Sequence, residues 1–408
     1  MNVLLAIVGL GILILLHEAG HFYVARAVGM RPRRFYIGFP PAIVKVVRNG
    51  IEYGVGAIPL GGYVKIPGMH RPAASDLDAQ LGPALKEDPS LFPKTARVKR
   101  ALEAEDLDAA AQSLPELEQA VEESNLSPGA AKIARRAVTE LDDGLSKDAY
   151  WRQPTWKRIS VIFAGPGTNI ILAVLLIGLA YTIGVPGNAD RTVRHVKADT
   201  PAAQVGLHPG DRIIAVNGRA TPDFDHVSQS IRGSHGTPIT VTVLRSGRPL
   251  TLGPVRTKKI GDRWALGFEP GWQEIKYGPA GALQHSLDDT WAATKATITF
   301  LPRLVSGSGT KDVSSPVGIV DYSSQAASLT FTFFLQIMGL ISLSLAILNL
   351  LPLLPLDGGH ILFSIVEGLR GRAVGREVYE RLSAIGIALV LVLLFIGLSN
   401  DINRLGGG

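Results

Sequence analysis

The sequence predicts a multi-pass α-helical membrane protein with four transmembrane helices, a membrane-associated β-hairpin or sheet, and an extracytoplasmic α+β module. Three observations carry this. Four long apolar segments are separated by strongly charged stretches. Between the first two, hydrophobic periodicity switches to strand-turn-strand around an Asn-Gly pair. Between the second and third, strands and turns alternate at short, regular intervals.

The 408 residues suffice for several domains. Apolar residues make up 46% and charged residues 19%; the mean hydropathy of +0.22 is high for so charged a chain. The formal charge of +6 is not a nucleic-acid signature, because the basic residues flank apolar runs instead of forming a stripe with aromatics. There is no cysteine, which excludes disulfides and thiolate ligands. A metal site must therefore use His, Asp or Glu.

The first segment (1–30) is apolar from about Asn2 to Val28, and Met1 to Leu16 carry no charge. It lacks the basic start and small-residue cleavage site of a signal peptide, so it reads as a retained membrane helix. It contains His17-Glu18-Ala19-Gly20-His21. Histidines four apart share a helix face, spaced to hold one Zn²⁺, with Glu18 placed to take a proton from a water at the metal. Ionisable residues on a membrane helix are costly and mark functional positions. The bland alternative is a helix end whose histidines meet water or backbone.

Residues 31–70 read as a membrane-associated β region. Strands at Ile43–Val47 and Ile51–Val55 flank Arg48-Asn49-Gly50, and a further strand covers Tyr63–Ile66. Such a hairpin either lies on the membrane surface or offers a free edge to an extended substrate. Residues 71–150 hold sixteen acidic and ten basic residues and read as a charged helical cytoplasmic insertion. Leu102, Leu107, Leu114, Leu117 and Val121 are helically spaced, with helix starts at Ser113-Leu114-Pro115 and Ser127-Pro128.

The second span (155–186) opens with Gly165-Pro166-Gly167-Thr168-Asn169, small residues that permit close helix packing. Asn169 needs a partner from a neighbouring element. The module at 187–275 resembles a PDZ domain through the run from Thr200 to Gly218, followed by a helix near Phe224–Ile231 and a strand at Ile239–Leu244. Trp264-Ala265-Leu266-Gly267-Phe268 is similar to the binding loop and strand of circularly permuted PDZ domains, which points to Gly267 and Phe268 as peptide-binding residues. Residues 276–328 form an amphipathic helix, about Ala280–Leu304, and a connector.

The third span (329–370) carries Asn349-Leu350-Leu351-Pro352-Leu353-Leu354-Pro355-Leu356-Asp357-Gly358-Gly359-His360. Its prolines break the helix, as is tolerated where backbone lines a cavity. Asp357 is the candidate third metal ligand; capping the following helix is its other reading. An unbroken helix from Leu329 would carry Asp357 about 40 Å along, against about 25 Å for His17, so the chain must bend back or the helix must start later. His360 is a possible fourth nitrogen or an orienting group. The fourth span (376–400) closes the chain. Arg26, Arg31, Arg33 and Arg34, then Arg152, Lys157 and Arg158, then Arg370, Arg372, Arg376 and Arg381 all fall on one side, which is cytoplasmic by the positive-inside rule. The N-terminus, the 187–275 module and the C-terminus then lie outside.

Together, the His17–His21 motif, the Gly165–Asn169 stretch, the PDZ-like module and the Asn349–Gly359 run resemble the site-2 protease family, the zinc intramembrane metalloproteases, in an RseP-like bacterial form with one PDZ domain. No counterpart covers 71–150. The resemblance implies one Zn²⁺ held by His17, His21 and Asp357, Glu18 as catalytic acid/base, and Asn349 holding substrate backbone near the zinc. It implies a multi-pass protein of the bacterial plasma membrane. Its partners would be the lipid bilayer, single-pass transmembrane substrates such as anti-sigma factors, and an upstream site-1-type protease that trims the same substrate. A membrane-anchored PDZ adaptor with an inactive zinc site and a zinc protease of soluble peptides are the rival readings.

Overall fold

The computed structural model describes residues 2–69, 71–260, 263–372 and 374–406. Among them, four helices are long and apolar enough to cross a membrane: α1 (Asn2–Ala27), α6 (Thr155–Ile183), α11 (Phe331–Asn349) and Glu377–Arg404 of α13 (Arg376–Gly406). The chain forms two compact units, one of residues 1–177 with 286–408 and one of residues 178–285.

In the first unit, α1 leads into β1 (Arg34–Arg48) and β2 (Ile51–Lys65). Asn49 and Gly50 both take positive φ, as a tight hairpin turn requires. The sheet is more extensive than the short strands expected. Glu52–Val55 pair on one side with residues 44–47 and on the other with Arg34–Ile37, which in turn face Gly62–Lys65. One outer edge of this folded ribbon is therefore the segment ending at Lys65. Ile43, Val44, Val46 and Val47 at the other edge are exposed apolar side chains, suited to lipid.

Residues 71–150 fold as a helical bundle: α2 (Ala74–Glu87), α3 (Phe92–Glu103), α4 (Leu107–Glu123) and α5 (Pro128–Leu145). Leu81, Leu91, Val98, Leu117 and Ala134 are at most 1% exposed and form its core. Ser127 caps α5 as expected, accepting from the Ala130 amide. The other expected start is corrected: Pro115 lies inside α4, whose cap is Asp106, accepting from the Ala109 amide.

The second unit begins within α6, at residue 178. It contains β3 (Val185–Val196), α7 (Pro201–Gln204), β4 (Arg212–Val216), β5 (Arg219–Ala220), α8 (Phe224–Arg232), β6 (Pro238–Arg245), β7 (Arg248–Arg256), β8 (Lys258–Ile260), β9 (Arg263–Ala265) and β10 (Phe268–Ile275). The sheet order is β10-β3-β4-β6-β7, so β10 is an edge strand. Ile239, Val241 and Val243 alternate inward along β6 and pack with Ile213, Val227 and Leu266. Arg245 donates to both Asp211 oxygens at 2.7 Å. Burial pushes the Asp211 carboxyl up, but these bonds outweigh it and hold it below the usual carboxylate range.

The chain returns through α9 (Pro279–Val305), α10 (Pro316–Leu329), α11, α12 (Asp357–Arg370) and α13. The expected third span is corrected here. It is not one broken helix from 329 to 370, because α10 ends at Leu329, α11 runs only from Phe331 to Asn349, and residues 350–356 turn back before α12. The α10 helix, unforeseen in the connector, is tied to the end of α13 by Asp401, which is 1% exposed. Its carboxylate accepts from the Ser314 and Ser315 hydroxyls and the Ser315 and Gly318 amides at 2.6–3.0 Å.

Two outcomes follow. Asp401→Ala orphans these donors and should lower stability by about 2–4 kcal/mol, read as a lower thermal midpoint in detergent. A carboxyl depressed in the fold stabilises above its unfolded pKa and loses that contribution as pH falls through the folded value. The stability gap between wild type and Asp211→Asn, measured by melting across pH, should therefore be full near neutrality and close below the ordinary value of 3.8.

Candidate metal centre

One turn of α1 separates His17 from His21 on the same helix face, and they are buried at 6% and 7% exposure. Their Nε2 atoms lie 3.3 Å apart. Asp357 Oδ2 completes a triangle, 3.3 Å from His17 Nε2 and 3.4 Å from His21 Nε2. A tetrahedral Zn²⁺ with bonds of about 2.1 Å spaces its ligand atoms by about 3.4 Å. The match is close, and two further observations support it. Asp357 Oδ2 is buried without a hydrogen-bond partner, and no other His, Asp or Glu among the described residues joins the cluster. The donor set fits zinc with a coordination position to spare.

The ring faces are set from behind. His21 Nδ1 donates to the Val161 carbonyl of α6 at 2.8 Å, leaving the Nε2 lone pair for a metal. His17 Nδ1 lies 3.2 Å from the Asn169 carboxamide. The Asn169 Nδ2 is the atom that faces Nδ1, and its buried Oδ1 has no partner among the described residues; with the amide turned over, Oδ1 accepts from Nδ1–H and frees His17 Nε2 in the same way. Asn169 thus finds its partner in the neighbouring helix. Its backbone carbonyl accepts from Ser342 of α11 at 2.9 Å, joining three spans at this level.

Glycines let the helices approach this closely. A Cβ at Gly165 would overlap His21 Nε2, and one at Gly20 would lie 2.5 Å from the Ala164 carbonyl oxygen. At Gly358 and Gly359 a Cβ would meet the backbone of residues 350–354, so these glycines let the returning loop lie against the start of α12. Asp357 is the first residue of α12; the cap position is Leu356. The late start of α11 resolves the depth conflict: its 19 residues span about 28 Å, and the loop brings Asp357 level with His17.

A cavity of about 750 Å³ opens beside the cluster, lined by Glu18, Asn349, His360 and the strand segment Gly61–Lys65. Glu18 packs against that edge, since a Cβ at Gly62 would lie 2.8 Å from Glu18 Cγ. His360 is not in the metal cluster and pairs with the Tyr379 hydroxyl. Gly267 and Phe268 are not among these residues. They lie in the second unit, where Gly267 takes φ +90 between β9 and β10, and Phe268 opens the edge strand with its ring 6.3 Å from that of Phe224 on α8. The sequence carries no signal for the Val161 carbonyl or for Gly62, because backbone acceptors and packing glycines leave no chemical signature there.

Buried histidines and a carboxylate in one cluster, with a second carboxylate at an open cavity among apolar helices, define a membrane metallohydrolase. The model of peptidase family M50 matches residues 5–393, and the chain belongs to this family, the site-2 proteases. It is accordingly a zinc metalloprotease. It is 28% identical over 420 residues to the regulator of sigma-W protease RasP of Bacillus subtilis, covering 99% of each chain. It is 29% identical over 455 residues to the regulator of sigma-E protease RseP of Escherichia coli, covering 98% of each. Similarity to the zinc metalloprotease RasP of Oceanobacillus iheyensis is 28% over 421 residues, 97% of each.

Gly165→Ala should displace the imidazoles and abolish zinc retention, whereas Gly167→Ala, whose Cβ would meet only the Phe163 ring at 3.2 Å, should keep it. Asn169→Ala should weaken zinc affinity by about 10-fold or more. Metal content by atomic spectroscopy after dialysis against graded chelator reads all three.

Proposed function

We propose that this enzyme is an intramembrane endopeptidase that cuts transmembrane segments of single-pass membrane proteins, with His17, His21 and Asp357 as zinc ligands and Glu18 as catalytic acid/base. The observation that carries this is the triangle of 3.3–3.4 Å contacts on helices suited to lipid, beside a carboxylate and a free strand edge. Zinc, when bound, supplies Lewis acidity and lowers the pKa of water. Glu18 takes the proton of the attacking water and delivers it to the leaving amide nitrogen, so no charge is left on the amine. Asn349 donates to substrate backbone at the cavity wall. A helical substrate has its carbonyls engaged in hydrogen bonds and must unwind to be cut. The Gly61–Lys65 edge offers replacement partners for the unwound stretch, as strand addition does elsewhere.

The 187–275 module acts as a PDZ domain outside the cell. The edge position of β10 and the Gly267 turn support this, with Gly267 and Phe268 at the peptide-binding edge. Arginines flanking the spans support an orientation with the N-terminus, this module and the C-terminus extracytoplasmic and residues 71–150 in the cytoplasm. RasP of Bacillus subtilis and RseP of Escherichia coli are named as regulators of sigma factors, which makes anti-sigma factors, trimmed first by a site-1-type protease, the substrate class to test.

In reconstituted vesicles, Glu18→Gln should lower cleavage of a transmembrane substrate by about 10²–10⁴-fold with zinc still bound, and Asp357→Asn should lose zinc. Undiminished cutting by metal-loaded Glu18→Gln would remove Glu18 from the chemistry. Equal cleavage of a soluble peptide and an embedded one would remove the intramembrane assignment.

A further inference from the structure

The cavity beside the metal cluster does not end at the catalytic strand. It continues to the inserted bundle, where Arg71, Asp76 and Gln80 at α2 and Glu140 on α5 line the same space as His17 and Glu18. The bundle is fixed there by several contacts. Asp143 accepts from Arg33 Nε and Lys65 Nζ, each at 2.8 Å, so α5 is bonded to the last residue of the edge strand. The Tyr150 and Trp151 amides donate to the Pro67 and Gly68 carbonyls at 2.9 and 3.0 Å. With its own apolar core, the bundle is a rigid wall of the catalytic cavity.

Building on the proteolytic reading above, we propose that the α2–α5 bundle is a substrate-reading wall: it takes the Lys/Arg-bearing segment that adjoins the cut on the bundle's side, with Glu140 and Gln80 as the specificity-determining contacts. Continuity with the catalytic groups identifies the occupant as polypeptide of the same substrate. A chain laid along the edge strand from Gly62, beside Glu18, to Lys65 advances about 10 Å, or three residues, before it meets the bundle. Charge identifies the side chains. The insertion holds sixteen acidic and ten basic residues, net −6, while the remainder holds nineteen acidic and thirty-one basic, net +12. Cytoplasmic flanks of membrane proteins are rich in Lys and Arg, and of the insertion's charged residues that line the cavity Asp76, Glu140 and Asp143 outnumber Arg71, so the wall such a flank meets is acidic. Among the described residues, Glu140 is held by exposed Arg136 one turn away, at 2.7 Å, and by Gln80 at 3.4 Å. Pairs of that kind exchange readily for a substrate cation.

The test uses the full-length zinc-loaded enzyme in vesicles and three substrates that share one transmembrane segment but carry Lys/Arg, Ser/Gly or Asp/Glu flanks. Wild type should prefer the basic flank. Glu140→Lys should lower kcat/KM for the basic flank about fivefold, raise it for the acidic flank, and leave the neutral flank and zinc content unchanged; Glu140→Gln should flatten the preference. An unaltered flank preference in both variants overturns the proposal, as does an equal loss on all three substrates, which marks Glu140 as structural. If zinc-loaded wild type cuts none of the three, the proteolytic reading itself fails, a result distinct from the others.

Discussion

Everything in the first unit answers to one constraint: two imidazoles and a carboxylate must be buried together among apolar helices without an unpaired charge. Ionisable groups in such surroundings are tolerated only when partnered. The partners come from two directions, since Val161 and Asn169 of α6 address the outer ring nitrogens and Asp357 meets the inner ones. The spans must then approach to backbone contact, which fixes Gly20 and Gly165 where they face each other's helices. It also fixes the break after Asn349. An unbroken helix would carry Asp357 past the histidines, and only a returning loop packed on Gly358 and Gly359 sets it at their level.

Legibility in the sequence followed the kind of physics involved. Chemistry-bearing residues are visible because their types are costly where they stand; His17, Glu18 and His21 directly follow a run of sixteen uncharged residues, and Asp357 sits among prolines and glycines. Spans were visible through length and composition alone. Boundaries set by tertiary contact were not. The start of α10 depends on Asp401, more than eighty residues on, whereas the break before α11 is a local cap in which the Thr330 hydroxyl accepts from the Phe333 amide. Pro115 resembled a helix start, yet Leu114 and Leu117 bury the same face on both sides of it and carry α4 through. The strand at Arg34–Ile37 was hidden for a related reason: its two flanking partners lie about eighteen and twenty-eight residues away in the register.

The same distinction governs the inserted bundle. Its charge pattern reads as a solvated surface, and most of it is one; Arg97–Glu116 and Arg135–Glu122 are exposed pairs that contribute little. Asp143 differs. It is 5% exposed, sits among charged neighbours in sequence, and bonds two cations from the catalytic sheet. A buried carboxylate with two partners cannot be separated from them cheaply, so α5 and the edge strand move as one body. The edge strand in turn abuts Glu18 through Gly62. Rigid connection from α5 through Lys65 to Gly62 means that a load placed on the bundle is felt at the catalytic carboxylate, and a flank seated against Glu140 would be held in register with the bond to be cut.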